Sequence, residues 1–309
     1  MSVDCDAITE AHARILPYIV HTPLLPGGAL AEQCHTHLTF KAEYRQHTGS
    51  FKLRGALNAA LQHPTALGFV AVSSGNHGAA VAYAARLLNR PAVVVMPADS
   101  NPEKVALVAS FGARIVSDGV TIANREDIVL DVQQATGFTL IHPFNDEAVI
   151  AGQGTLGIEI LRDGPPPDVI LVAVGGGGLI SGVATAVKEL HPQTRIIGVE
   201  PSVADDATRS FAHRTLVTLA EPPSTVADAV RTMHLGSRTF PILLAKVDDM
   251  VTATEEEILH AHAVLLTHLG ETVEPTAALA FAPLLSGALK VPKSACVILC
   301  GGNWSPPGK

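Results

Sequence analysis

Charged residues are scarce in this chain, 16% of 309 residues against 47% hydrophobic. Such a balance excludes a disordered polymer and fits a globular protein with a large core, either two domains or one large one. Basic runs are missing as well. Lys plus Arg number 21 against 29 Asp plus Glu, a formal charge of −8, which speaks against nucleic acid or an anionic membrane as partner. No apolar run approaches the roughly 20 residues of a membrane span. Met1 to Ile15 is polar and acidic, without the basic and apolar regions of a secretion signal. The four cysteines (Cys5, Cys34, Cys296, Cys300) form no C-x-x-C pair; reduced thiols and a cytoplasmic location are expected. The pairs His35/His37 and His260/His262 lack an obvious third ligand, so a metal is not expected there.

What the chain does have is a long alternation of short apolar runs and helical stretches. A helix over 9–18 stops at Pro17, a turn-rich segment follows, and Leu38–Ala42 reads as a strand. Strands are then predicted at 69–72, 92–96, 113–116, 139–141, 169–174, 195–199 and 296–299. Helices are predicted at 78–88, 102–111, 122–135, 148–161, 179–190, 255–269 and 276–289. This pattern predicts an α/β protein with parallel sheets covered by helices on both faces. Active sites in such folds lie at the carboxyl ends of the strands.

One lysine stands out. In Thr48-Gly49-Ser50-Phe51-Lys52-Leu53-Arg54-Gly55-Ala56 a loop turns into a helix, with Ser50 as candidate cap and Leu53, Ala56, Leu57 and Ala60 as its apolar stripe. Lys52 then falls in the first turn, where the helix dipole disfavours a cation. An amine so placed is primed to lose its proton and act as a nucleophile. By itself, a solvated lysine explains the same letters.

Four loops supply the context. Ser73-Ser74-Gly75-Asn76-His77-Gly78 offers hydroxyls, an amide and free N–H groups at a helix start, suited to a carboxylate and equally to an ordinary capped turn. Val174-Gly175-Gly176-Gly177-Gly178-Leu179 lets backbone N–H groups approach an anion; it has neither the dinucleotide spacing nor the P-loop lysine, and a phosphate ester fits it better. Glu200-Pro201-Ser202-Val203-Ala204-Asp205-Asp206 carries carboxylates for Mg²⁺ or Ca²⁺, although a solvated acidic turn accounts for it as readily. Leu299-Cys300-Gly301-Gly302-Asn303 closes the last strand, either as a cleft wall or as a buried thiol before a turn.

A reactive lysine, a phosphate cradle and an anion loop together call for a phosphorylated aldehyde, pyridoxal 5′-phosphate. With these stretches, and with Ala148-Val149-Ile150-Ala151-Gly152-Gln153-Gly154-Thr155 and Glu274-Pro275-Thr276, the chain resembles the fold-type II pyridoxal-phosphate enzymes over nearly its whole length. Within them it resembles the serine racemase and serine/threonine dehydratase group. The resemblance implies Lys52 as the Schiff-base lysine that also takes the α-proton, with Phe51 and Asn76 against the cofactor ring. It implies Gly175, Gly176, Gly177 and Gly178 around the phosphate, and Glu274 and Cys300 as further cofactor contacts. Ser73, Ser74, Asn76 and His77 would hold the substrate carboxylate, with Arg125 assisting. Glu200, Ala204 and Asp206 would bind the divalent cation.

It further implies a homodimer and two α/β domains, residues 1–67 plus 146–309 holding the cofactor and 68–145 closing over substrate. Two departures from the family pattern bear on chemistry. Cys300 stands where many relatives carry Ser as partner of the pyridine nitrogen, and a neutral thiol gives a milder electron sink suited to elimination. Ala229 stands where racemase-like relatives tend to carry Gly.

The activity implied first is dehydration and deamination of L-threonine or L-serine to a 2-oxo acid and ammonia. Serine racemisation, with Ser74 as second base, and ammonia-lyase action on 3-hydroxyaspartate are the alternatives. Intact Lys52, Asn76 and the glycine run argue against a silent cofactor carrier. No regulatory domain is expected after residue 300, and hence no isoleucine feedback through one.

Overall fold

The computed structural model describes residues 3–291 and 293–305. Among the described residues ten strands form two sheets: β1 (Leu24–Pro26), β2 (His37–Ala42), β3 (Phe69–Val72), β4 (Ala92–Val95), β5 (Arg114–Val116), β6 (Thr139–Leu140), β7 (Val169–Ala173), β8 (Arg195–Pro201), β9 (Asp249–Ala253) and β10 (Ser294–Leu299). The larger sheet runs β1-β2-β10-β7-β8-β9 and the smaller β5-β4-β3-β6. All pairings are parallel except the edge pair, where β1 lies antiparallel to β2 with Leu25 opposite Phe40. The two parallel α/β sheets expected from the sequence are present, with this one antiparallel pair added at an edge. Pro26, which has no N–H to donate, sits on the edge strand, as ladder geometry requires.

The central strands are buried along their whole length, β3, β4 and β7 without exception. Helices therefore cover both faces, and continuous Val/Ile/Leu runs replace the alternation of a half-exposed sheet. The large-sheet core closes around Phe40 and Phe281, whose rings meet edge to face at 5.4 Å.

Helix Glu147–Asp163 is capped by Asp146, whose carboxylate accepts from Val149 N at 2.9 Å. It crosses helix Lys52–Leu61 closely. A Cβ on Gly152 would lie 2.6 Å from the carbonyl oxygen of Arg54, so only glycine permits this approach. The crossing fixes the helix on which Lys52 stands.

Three local expectations change. Ser50 does not cap that helix: its hydroxyl is buried without a partner, and the cap position is Phe51. Instead Ser50 bridges to Gly301 and Phe51 N donates to Cys300 O at 3.0 Å, which pins the lysine loop to the carboxyl end of β10. The helix expected over 276–289 breaks into Pro275–Leu279 and Ala282–Leu285, because Pro283 lacks an N–H for a continuous ladder. Strand β9 and helices Asp206–His213 and Thr239–Lys246 were not anticipated.

Candidate active site

A cleft of about 960 Å³, counting its open mouth, lies between the carboxyl ends of the two sheets. Phe51, Lys52, Ser73, Ser74, Asn76, His77, Arg125, Gly175, Gly176, Gly177, Gly178, Glu274 and Cys300 all line it. Stretches more than two hundred residues apart in sequence (51 and 300) thus meet in one place.

Lys52 is the first residue of its helix, and its Nζ donates to Pro143 O at 2.8 Å. Burial lowers its pKa from the ordinary lysine value to about 8, and the nearby Cys300 and Glu274 offset only part of that. The ammonium also lies 5.2 Å from the Phe51 ring centre. No carboxylate pairs with it among the described residues, so a neutral amine is accessible near neutral pH.

Among the helices whose first residues line the cleft, two begin behind a glycine. Asn76–Leu87 begins behind Gly75, and Gly178–Leu190 begins behind Gly177, which adopts φ +87°. Each start leaves unpaired N–H groups aimed at the opening, so each can hold an anion. At Gly176 a side chain is forbidden for a second reason: its Cβ would fall 2.3 Å from the Phe144 ring. The glycine run therefore serves packing against the segment from the small sheet as well as open backbone.

Asn76 is held at both ends. Its amide nitrogen donates to Glu274 Oε1 at 2.8 Å and Oε2 at 3.1 Å, and its carbonyl accepts from Asn303 Nδ2 at 2.9 Å. His77 differs from expectation. Its Nε2 pairs with the carbonyl of Ile141 at 2.8 Å, and burial drives its pKa down to about 3. A neutral imidazole tied to backbone carries no positive charge, although His77 still lines the cleft beside Ser73 and Ser74. Ser73 Oγ already accepts from Gly75 N at 3.0 Å, while Ser74 stands partly exposed in the cleft.

Arg125 heads helix Arg125–Thr136, and its Nε is buried without a hydrogen-bond partner. Burial lowers its pKa, with Arg231 adding to the effect. Cys300 is 3% exposed, and burial pushes its thiol well above the usual range, so it stays protonated.

Sequence reasoning missed Lys104 and Asp228. Lys104, 4% exposed, donates to both carboxylate oxygens of Asp228 at 2.9 and 2.7 Å and lies 3.3 Å from Glu274 Oε2. The available signal was a lysine one turn before Val108 on the buried stripe of helix Pro102–Ser110.

Glu200, Ala204 and Asp206 lie outside the cleft lining but close together at the end of β8. Glu200 accepts from Ala207 N at 3.0 Å, Thr208 N at 2.6 Å and Thr208 Oγ1 at 2.8 Å. Asp206 Oδ2 is buried with no partner. Burial, then the neighbouring Asp206, raises Glu200 to about 8; burial raises Asp206 to about 7. Two buried carboxylates held so far from their ordinary values, one with an orphaned oxygen, suit a hard divalent cation. His21, Glu159 and Asp163 also cluster, but Lys41 Nζ sits 2.7 Å from Glu159 and 3.0 Å from Asp163, and fills the role a metal would take.

Residues 15–301 match the model of the pyridoxal-phosphate dependent enzymes, and the chain belongs to that family. Among known proteins it is 40% identical to a serine racemase of Arabidopsis thaliana, over 98% of this chain and 93% of that one. It is equally 40% identical to an L-threo-3-hydroxyaspartate ammonia-lyase of Saccharomyces cerevisiae, over 96% and 92%. Among solved structures, a threonine deaminase of T.th. superposes with a TM-score of 0.95 at 47% identity, covering 98% of this chain and all of that one. Among the described residues no helix is long and apolar enough to cross a membrane.

Proposed function

We propose that the chain is an ammonia-lyase that eliminates the β-hydroxyl of L-threonine or L-serine, releasing a 2-oxo acid and ammonia. The observation that carries this reading is the uncompensated amine of Lys52, lowered to about 8, between two helix starts. Pyridoxal phosphate, when bound, supplies an aldehyde carbon for an amine and an electron sink for the substrate α-carbon. Lys52 Nζ would be the amine that holds it and the base for the α-proton, a task suited to an amine that titrates near working pH. Gly175 to Gly178 and the start of helix Gly178–Leu190 hold the phosphate. Ser73, Ser74 and the first N–H groups of helix Asn76–Leu87 hold the substrate carboxylate. Asn76 and Phe51 orient the ring, and the protonated thiol of Cys300 gives its nitrogen only a weak partner. Residues 68–145 form a small domain that closes on residues 1–67 and 146–309, in a cytoplasmic homodimer. Glu200, Asp206 and the carbonyl of Ala204 bind Mg²⁺ or Ca²⁺ as a structural ion.

Ser74 supports a second reading. Ser74 lines the cleft, and its hydroxyl would serve as the second base whose proton return to the α-carbon yields D-serine. Arg125, whose buried Nε has no partner, adds 3-hydroxyaspartate to the substrate panel, since a guanidinium fork suits a second carboxylate. The test is one incubation of the holoenzyme with each amino acid, with 2-oxo acid and chiral amino-acid products measured together. Oxo acid from threonine and serine is expected to form faster than D-serine. Faster D-serine would reverse the order of the two readings.

A further inference from the structure

Lys104 is a buried cation on helix Pro102–Ser110, which packs in the small-sheet half, yet its partners belong to the other half. Asp228 opens the turn Asp228–Val230, whose continuation Arg231 and Thr232 lines the cleft mouth. Glu274 precedes helix Pro275–Leu279 and accepts the amide nitrogen of Asn76. Asn76 in turn is fixed by Asn303 Nδ2, which also reaches Thr48 O at 2.9 Å, in the loop of Lys52. One ammonium thus closes a chain of polar contacts that begins in the small half and ends beside the reactive lysine.

We propose that Lys104 is a positioning residue that clasps the two halves of the cleft and, through Glu274, fixes which hydrogen of Asn76 faces the cofactor. An amide nitrogen has two hydrogens. The Glu274 carboxylate takes one, and the other is left for the ring oxygen of the cofactor. A carboxylate that accepts only cannot compete for that role, whereas a protonated Glu274 could donate to Asn76 and turn the amide over. Burial pushes the Glu274 pKa up, and Lys104 is the charge that opposes this. Geometry supports the same assignment. A Cβ on Gly75 would fall 2.4 Å from Lys104 Cδ, so the lysine stem is pressed against the loop that precedes Asn76.

This inference rests on Asn76 facing the cofactor ring, and two readouts separate the parts. The first is hydrogen exchange of the cofactor-free protein. Lys104→Met should accelerate exchange in helix Pro102–Ser110 and in the turn at Asp228 by roughly tenfold, since a local opening loses its clasp. The second is the absorption spectrum of the loaded protein, whose band ratio reports the protonation of the ring oxygen. Lys104→Met should shift that ratio. Asp228→Asn should accelerate exchange but leave the ratio in place, because Lys104 still faces Glu274. Lower melting temperature in Lys104→Met with neither readout changed would overturn the proposal, leaving a purely structural lysine. Faster exchange with an unshifted ratio would overturn the link through Asn76. A wild-type protein with no absorption band would overturn the cofactor site itself, a different failure.

Discussion

Two buried cationic clusters lie side by side in this molecule and differ in one respect. Around Arg54 every charge is answered. The guanidinium pairs with Glu43 at 2.8 Å through Nε and through Nη2, and with Glu159 at 2.7 and 2.8 Å, while Lys41 completes Glu159. Glu159 is held down to about 2 because Arg54 and Lys41 outweigh the burial that would raise it. Around Lys52 the accounts stay open: one carbonyl for the amine, an Arg125 Nε without a partner, and two helix starts with unclaimed N–H groups. The saturated cluster holds the chain together, and the unsaturated one waits for anions from outside. What separates the two clusters is how far the protein itself satisfies their polar groups.

The comparison can be broken from either side. Lys52→Ala should abolish turnover, by on the order of 10⁴-fold or more, and remove the yellow colour, while the denaturation midpoint stays near wild type. Retained turnover would show that the open cluster is not the catalytic one. Arg54→Met should do the reverse. It strands Glu43 and Glu159 without their cation and should destabilise the fold by about 3–5 kcal/mol in urea titrations, with the absorption spectrum of the folded fraction unchanged. A smaller effect follows from Glu200 and Asp206, whose raised values make folding favour their protonated forms. Without a cation, that contribution is present below the ordinary carboxylate range and is lost as pH rises through about 7 and 8. Asp205 and Arg209, paired at 3.0 Å, are the other charges beside them. Chelation should therefore lower the melting temperature by several degrees at pH 8 and by little at pH 6, as read in thermal melts. A pH-independent effect would remove the carboxylate pair as the ion's ligands.

Much of this was legible in the chain. The strands β3, β4, β7 and β10 announced themselves as short apolar runs, and the 255–269 helix was located to the residue. The family resemblance brought together stretches that periodicity could not connect. Two kinds of information were missing. Strand β9 and the helices at 206–213 and 239–246 are short and partly exposed, so tertiary packing rather than pattern decides them. Partners of buried polar groups were also hidden. Nothing local tells that His77 turns to Ile141 or that Lys104 reaches Asp228, because each bond joins a helix to a segment far away in sequence and depends on how the two are packed together.

The chain has a single tryptophan, Trp304, whose ring meets His262 edge to face at 4.5 Å. It directly follows Asn303, the residue bonded to Asn76 at the cleft. Excited indole emits where a bound pyridoxal group absorbs, so the protein carries its own light source beside the place that is to be filled. Quenching of that one emitter then reports cofactor loading as it happens, without a label and without a substrate.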